Sequence, residues 1–250
     1  MPNATYPDLK SKTVLVTGGA NGIGAAMVEA FCREGSWVFF CDVDVAAGKA
    51  MARALGPTAV FAKVNLLEEK EIRDWTRSVG AKQRRIDVVV NNAASDPRRL
   101  LQKTTTAQWD ELFARNLRAY FIVARESLPW LKAGSSVINF SSVTVHTGPA
   151  QMTAYVSTKA GIQGFTRSLA RELGPQGIRV NTISPGWVMT KRQLEEYVRP
   201  ETRRLIRKSQ CVPKLIQPCE IAEVVLFLAS DASCVLTGQE LLADRGWAHS

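Results

Sequence analysis

A tyrosine and a lysine stand four residues apart in Met152-Thr-Ala-Tyr155-Val-Ser-Thr-Lys159-Ala-Gly161, with Ser142 thirteen residues upstream of the tyrosine. The segment that follows, through Leu173, reads as a helix, so Tyr155 and Lys159 project from one face. An ammonium beside a phenol stabilises the phenolate and draws the tyrosine down from its ordinary pKa of about 10. That turns a hydroxyl into a general base near neutral pH. A solvated helix face carries the same pair, so its meaning depends on what precedes it in the chain.

A second group of residues suits a phosphate. Thr17-Gly18-Gly19-Ala20-Asn21-Gly22-Ile23-Gly24 joins a short apolar run, Thr13 to Thr17, to a segment of helical spacing from Ile23 to Glu34. Glycines keep Cβ atoms away, so backbone N–H groups and a helix N-terminus can approach a pyrophosphate. The spacing is Gly-x-x-x-Gly-x-Gly rather than the usual G-x-G-x-x-G, and a plain tight turn is the competing reading. Asp42 ends the second apolar run, eighteen residues past Gly24. A carboxylate there accepts bonds from adenosine ribose hydroxyls and repels a 2′-phosphate, while neither Asn21 nor the residue after Asp42 is an arginine. The expected cofactor is therefore NAD rather than NADP.

These residues need a scaffold, and its rhythm is visible. Apolar runs at Thr13–Thr17, Trp37–Cys41, Thr58–Val64, Ile86–Val90, Ser136–Phe140, Ile178–Ile183 and Glu240–Ala243 read as strands. Between them lie helical patterns at Val45–Leu55, Glu68–Lys82, Thr106–Leu131 (bent near Leu117), Thr153–Leu173 and Ile221–Ala229. A polar, partly helical insertion follows Pro185-Gly186 and runs to about Pro213. Alternating strands and helices predict an α/β chain with a parallel sheet of about seven strands and helices on both faces. No linker or repeat divides residues 1–250, so one doubly wound Rossmann domain is expected, with residues 187–213 as a lid over substrate.

Composition narrows the function. The chain has 250 residues, 46% hydrophobic, with no apolar run near the ~20 residues of a membrane span. Met1 to Lys12 has neither the charged n-region nor the apolar h-region of a signal peptide, and five cysteines without a C-x-x-C pair read as reduced thiols. A cytoplasmic enzyme is expected. Two histidines and no H-E-x-x-H argue against a metal site. The net charge of +9 is scattered, and its densest stretch, Lys191 to Lys208, also holds Glu195, Glu196 and Glu201. We read the charge as solubility and attraction for an anionic cofactor, not as a nucleic-acid surface.

Three motifs coincide: Thr17-Gly18-x-x-x-Gly22-x-Gly24, Asn91-Asn92-Ala93-Ala94, and Ser142 with Tyr155-x-x-x-Lys159. Together they resemble the short-chain dehydrogenase/reductase family over essentially the whole chain. Asn116, in Arg115-Asn-Leu, matches that family's catalytic asparagine, and Pro185-Gly186-Trp-Val188-Met-Thr190 its nicotinamide-holding segment. Two departures stand out: Ala94 replaces a glycine, and Asn65 stands where many members carry Asp beside the adenine. The resemblance implies that the Tyr155 phenolate takes a proton from a substrate hydroxyl while hydride leaves the same carbon for the nicotinamide. It implies that Lys159 lowers the tyrosine's pKa and bonds the nicotinamide ribose, that Ser142 orients the substrate oxygen, and that Asn116 links Lys159 to solvent. Cofactor contacts are expected from Gly18, Asn21, Gly22, Ile23, Gly24, Asp42, Asn65, Leu66, Asn92, Ala93, Pro185, Gly186, Val188 and Thr190, besides Tyr155 and Lys159. A hydrolase serine at Ser142 fails, because G-x-S-x-G is missing around it.

Finer features, among them Asp96-x-Arg98, Val145-His146-x-Gly148, Thr190-Lys-Arg-Gln193 and Asp244-Arg-Gly-Trp247, resemble the family's bacterial aldose 1-dehydrogenases. Those enzymes oxidise the C1 hydroxyl of a pyranose to a lactone. Asp96, Arg98, His146 and Gln193 suit a polyol better than a steroid or acyl chain, with Ser142, Tyr155 and Trp187 completing the expected substrate contacts. Each has a blander reading: Arg98 as a surface charge, His146 as a structural histidine, Trp187 as a lid anchor. A sugar acid, a polyol or a 3-oxoacyl thioester is the alternative substrate, and a dinucleotide-binding protein without turnover the alternative class. The resemblance also implies a homotetramer or homodimer, for which a face around Phe113, Phe121 and Phe165 would serve.

Overall fold

The computed structural model describes residues 4–249. Seven strands form one parallel sheet in the order β3-β2-β1-β4-β5-β6-β7, with β1 at Thr13–Thr17, β2 at Trp37–Asp42, β3 at Ala59–Lys63 and β4 at Val88–Asn91. The other three strands are β5 at Ser136–Phe140, β6 at Arg179–Pro185 and β7 at Glu240–Ala243. The order reverses between β1 and β4, and in open α/β sheets the crevice at such a switch point is where ligands bind.

Central strands are apolar on both sides because both faces are covered. Val14, Val16, Val38, Phe40, Val88 and Val90 point to one face, while Leu15, Phe39, Cys41 and Val89 between them point to the other. The first face is covered by α1 (Gly22–Arg33) and α10 (Pro218–Ala229), which pack on each other through Met27, Phe31, Ile221 and Val225. The second lies under α3 (Glu69–Gln83), α5 (Ala119–Ser127) and α7 (Thr153–Leu173), through Ile72, Trp75, Ile122, Val123, Leu169 and Leu173. α2 (Val45–Leu55) closes the β3 edge, with Phe61 lying so close to Gly48 that a Cβ there would overlap its ring.

The helix expected from Thr106 to Leu131 bends where the sequence placed its break. It runs as α4 (Thr106–Phe113), then a π-helical turn at Ala114–Arg118, then α5 and a short 3-10 turn through Pro129. The insertion after β6 forms α8 (Lys191–Glu196) and α9 (Pro200–Lys208), which share a small apolar cluster of Met189, Val198 and Ile206. Trp187, Leu194 and Trp247 pack against that cluster, and Met189 N–H bonds the Ile216 carbonyl at 2.9 Å. Among the described residues no helix is long and apolar enough to cross a membrane, and no group of metal ligands occurs.

Candidate functional site

The carboxyl ends of the strands open into a cavity of about 800 Å³, lined from Asp42 at one end to Trp247 at the other. One side of it is backbone. Gly18 leaves β1 at φ +66° with Ala93 pressed against it, and a Cβ on Gly24 would stand 1.8 Å from the Gly18 carbonyl oxygen. Only glycine fits at that approach. The turn delivers the N-terminus of α1 to the cavity, with no side-chain cap on its first N–H groups and no acidic residue in its first turn. Such an end attracts an anion. Asn92 fastens the turn from the β4 end, donating to the carbonyls of Thr17 at 2.9 Å and Gly18 at 3.1 Å. Gly22 faces the methyl group of Thr190, so the turn also meets the base of the insertion.

Asp42 lies in the lining beside Cys41, Val43, Asn65 and Leu66, none of them cationic. Its carboxylate accepts from the N–H groups of Ala20 and Asp44, each at 3.1 Å, which fixes its place at the strand end. Asn21 is held by Asp44 at 3.1 Å. The residues present therefore fit the diphosphate and adenosine ribose of a dinucleotide: an uncapped helix end on a glycine turn, then a carboxylate that can accept from ribose hydroxyls.

The candidate reacting side chains come from α7 and the end of β5. Tyr155 and Lys159 both line the cavity, one helical turn apart. Lys159 is buried and donates to the Phe140 carbonyl at 2.7 Å, while Ser141 Oγ donates to the Lys159 carbonyl at 2.9 Å, tying strand to helix. Ser142 is buried, and its Oγ accepts from the N–H and the hydroxyl of Thr144, at 3.2 and 2.9 Å. Thr144 opens α6 (Thr144–Thr147). Burial pushes the Tyr155 phenol up and Asp96 adds to this, whereas Ser142 and Arg192 pull it down. Lys159 is lowered to about 7, by burial first, with Asp96 opposing. The ammonium was expected to activate the phenol, but desolvation dominates at both groups and favours their neutral forms.

Asn116 sits in the π-helical turn and stays behind the cavity wall. Its Oδ1 accepts from the Ser95 N–H at 2.9 Å, and its Nδ2 donates to the Ser95 carbonyl at 2.9 Å and to Thr158 Oγ1 at 3.2 Å. It thus ties the loop after β4 to the turn of α7 between Tyr155 and Lys159. π-bulges often mark such functional positions.

The opposite side of the cavity is made of side chains from distant segments. Asp96, on the loop after β4, is bonded by Arg192 of α8 and by Gln193 Nε2 at 3.2 Å. Gln193 Oε1 in turn accepts from Trp187 Nε1 at 2.9 Å. Trp187 and Trp247 stack with centroids 6.3 Å apart at 19°. Arg98 is exposed, and its guanidinium lies 3.9 Å from the Tyr197 ring centroid and 5.0 Å from that of Trp187. The cluster brings Asp96, Arg98, Trp187 and Gln193, four of the expected substrate contacts, into the same cavity lining as Ser142 and Tyr155. His146 is not with them. It is absent from the lining, and its Nε2 lies 2.9 Å from Glu240 of β7, which also receives Gln163 and Ser184. The placement is that of the structural histidine, not of a substrate contact.

Sequence reasoning passed over Arg192, Tyr197, Thr144 and Trp247 as site residues. The signal for Arg192 was its place beside Gln193 and four residues before Glu196, but it was absorbed into the general basicity of the segment.

The family model described as "Enoyl-(Acyl carrier protein) reductase" matches residues 18–248. The chain is 40% identical to a D-xylose 1-dehydrogenase of Caulobacter vibrioides, covering 99% of this chain and 100% of that one. It is 37% identical to a probable galactose dehydrogenase of Rhizobium meliloti, covering 98% of each. An L-fucose dehydrogenase of Bos taurus is 36% identical, with 94% of this chain and 88% of that one covered.

Proposed function

This chain belongs to the short-chain dehydrogenase/reductase family, and we propose that it is an aldose 1-dehydrogenase that prefers NAD. Family membership makes it an oxidoreductase acting on a CH–OH group with a nicotinamide cofactor and a small-molecule substrate. The finer reading, a sugar oxidised at its C1 hydroxyl to the lactone, is carried by one observation. The cavity wall that shares its lining with Tyr155 combines hydrogen-bonding groups, Asp96 bonded by Arg192 and Gln193, with a tryptophan face. Hydroxyls ringing an apolar pyranose face match that combination, and a wall built to bond them rejects analogues that lack them. The names of the relatives, xylose, galactose and fucose dehydrogenases, agree with it.

In this reading Ser142, oriented by Thr144, donates to and positions the substrate oxygen, and Tyr155 takes the hydroxyl proton. Lys159 holds the positive charge that favours the phenolate, and Asn116 keeps the Tyr155–Lys159 turn in register with the loop carrying Asp96. A bound nicotinamide dinucleotide supplies the hydride acceptor, held by the Gly18–Gly24 turn, Asp42, Asn65, Leu66, Asn92, Ala93 and the Pro185–Thr190 segment. Asp42, with no cation beside it, underlies the preference for NAD over NADP. The insertion from 187 to 213 acts as a lid, latched through Asp96–Arg192 and Arg98–Tyr197. Phe121 is exposed and Phe113 and Phe165 are half-buried, and these would be the residues an oligomer covers.

The test is the growth of reduced-nicotinamide absorbance with NAD, and in parallel NADP, across D-xylose, L-arabinose, D-galactose, L-fucose, D-glucose and L-rhamnose. Rapid NADH formation with one of them, a lactone product, and a loss of about 10³-fold in kcat in Tyr155→Phe are expected. Silence across the panel while NADH still binds would sink the aldose reading and leave sugar acids and polyols.

A further inference from the structure

Lys159 is 1% exposed, and the Phe140 carbonyl is the one hydrogen-bond acceptor of its Nζ among the described residues. Two rings cover the ammonium, with centroids 5.7 Å away for Tyr155 and 5.5 Å for Tyr120. Tyr120 comes from α5, four residues past Asn116, and is itself 1% exposed. Its hydroxyl has no partner among the described residues. A buried tyrosine normally finds a partner for its O–H, because an orphaned hydroxyl is unfavourable. Here the hydroxyl gains nothing, and the ring lies within cation–π range of a buried charge.

We infer that Tyr120 is a positioning residue for Lys159, its ring face keeping the ammonium charged and in place beside Tyr155. The inference rests on the roles proposed above for Tyr155 and Lys159. Four elements face the ammonium or act on it: Tyr155 from its own helix, Tyr120 from α5, the Phe140 carbonyl from β5, and Asp96 from the loop after β4. Of these, Asp96 bears the only formal charge while the phenols are protonated, and it is engaged by Arg192. A face of π density is thus a principal compensation for a desolvated cation. Its removal weakens the hold on the lysine's proton further, so the pairing of neutral amine with protonated phenol, which cannot accept the substrate proton, becomes more populated.

The experiment grades the ring. Tyr120→Phe keeps the π face and discards the orphan hydroxyl; phenylalanines of increasing ring fluorination at position 120 weaken the face at nearly constant shape; Tyr120→Leu removes it. Two readouts apply to the full-length protein: the pH profile of kcat/KM, and an NMR titration of the Lys159 ε-carbon without substrate, assigned by its loss in Lys159→Arg. Stepwise fluorination should lower the Lys159 titration step by step. It should also bring the alkaline limb of the profile to lower pH and reduce the plateau by roughly 3- to 30-fold from first to last member. Tyr120→Phe should titrate as the wild type does. A Lys159 titration that ignores fluorination overturns the proposal, as does a Tyr120→Phe as impaired as Tyr120→Leu, which would assign the role to the hydroxyl. If Tyr120→Leu does not fold, the fluorine series decides alone. A graded Lys159 titration in a protein that oxidises no aldose supports this inference and rejects the substrate reading.

Discussion

On the Asp42 side of the cleft, the surface a ligand meets is mostly main chain: the Gly18–Gly24 turn, the open end of α1, and the carbonyls that Asn92 clamps. On the Trp247 side it is side chain throughout, and Asp96, Arg192 and Trp247 come from segments 55 to 151 residues apart in sequence. The two sides therefore tolerate change differently. A backbone surface is fixed by sterics within eight residues, so it admits few alternatives. A side-chain surface is assembled by tertiary folding and can be rebuilt one residue at a time, which is how one fold comes to serve many substrates.

Gly24→Ala should give the largest break. Its Cβ would stand 1.8 Å from the Gly18 oxygen, a backbone atom that cannot swing aside. The turn must open, and overpacking of this kind destabilises by about 1–3 kcal/mol or more. NADH affinity should fall by about 100-fold, corresponding to about 3 kcal/mol, read by fluorescence titration, with a lower melting midpoint. Near-normal NADH binding would mean that the turn is not the rigid cradle described.

Lys159 lies at the seam of the two sides, and its burial makes a prediction about stability. Its pKa is lowered from 10.5 to about 7. Below about pH 7 folded and unfolded chains both hold the proton, so the unfavourable burial of charge is fully present. Between about 7 and 10.5 the unfolded chain binds more protons than the folded one, and stability contributed by this group rises with pH. Lys159→Met should therefore exceed the wild type by a difference on the order of 3 kcal/mol near pH 6. That difference should shrink steadily toward pH 9. Urea unfolding of both proteins across this range would show it. A constant offset would mean that Lys159 is well solvated, and would weaken the seam as drawn.

The same contrast explains what could be read from the chain. Strand and helix positions were legible because both core faces alternate along apolar runs, and the glycine turn because its constraint is local. β5, α7 and β7 fall on the bounds their patterns indicate, and the break near Leu117 proved to be the π-helical turn around Asn116. Other features were not legible, since nothing in the sequence brings Arg192 to Asp96 or turns His146 toward Glu240. Tyr120 beside Lys159 belongs with these, because a buried phenol on an apolar helix face looks like ordinary core.

Asp96→Asn should give the smallest change and the most informative one. The substitution keeps an acceptor for Gln193 and removes the charge that binds Arg192, which retains Glu196. The Asp96–Arg192 pair is partly exposed, with side chains 18% and 47% accessible, so the lost bond is discounted to about 1 kcal/mol, or five- to tenfold in KM. Its charge also reaches the reacting pair, holding both the Tyr155 phenol and the Lys159 ammonium up. Removing it lowers both, so the acid and the alkaline limbs of the kcat/KM profile should move together toward lower pH. If KM rises alike for every accepted sugar, Asp96 acts as a latch for the lid. If it rises for one epimer only, Asp96 reads a particular hydroxyl, and the side-chain half of the cleft is where the sugar is chosen. A profile that does not move at all would place Asp96 outside the electrostatics of the catalytic pair and confine it to the rim.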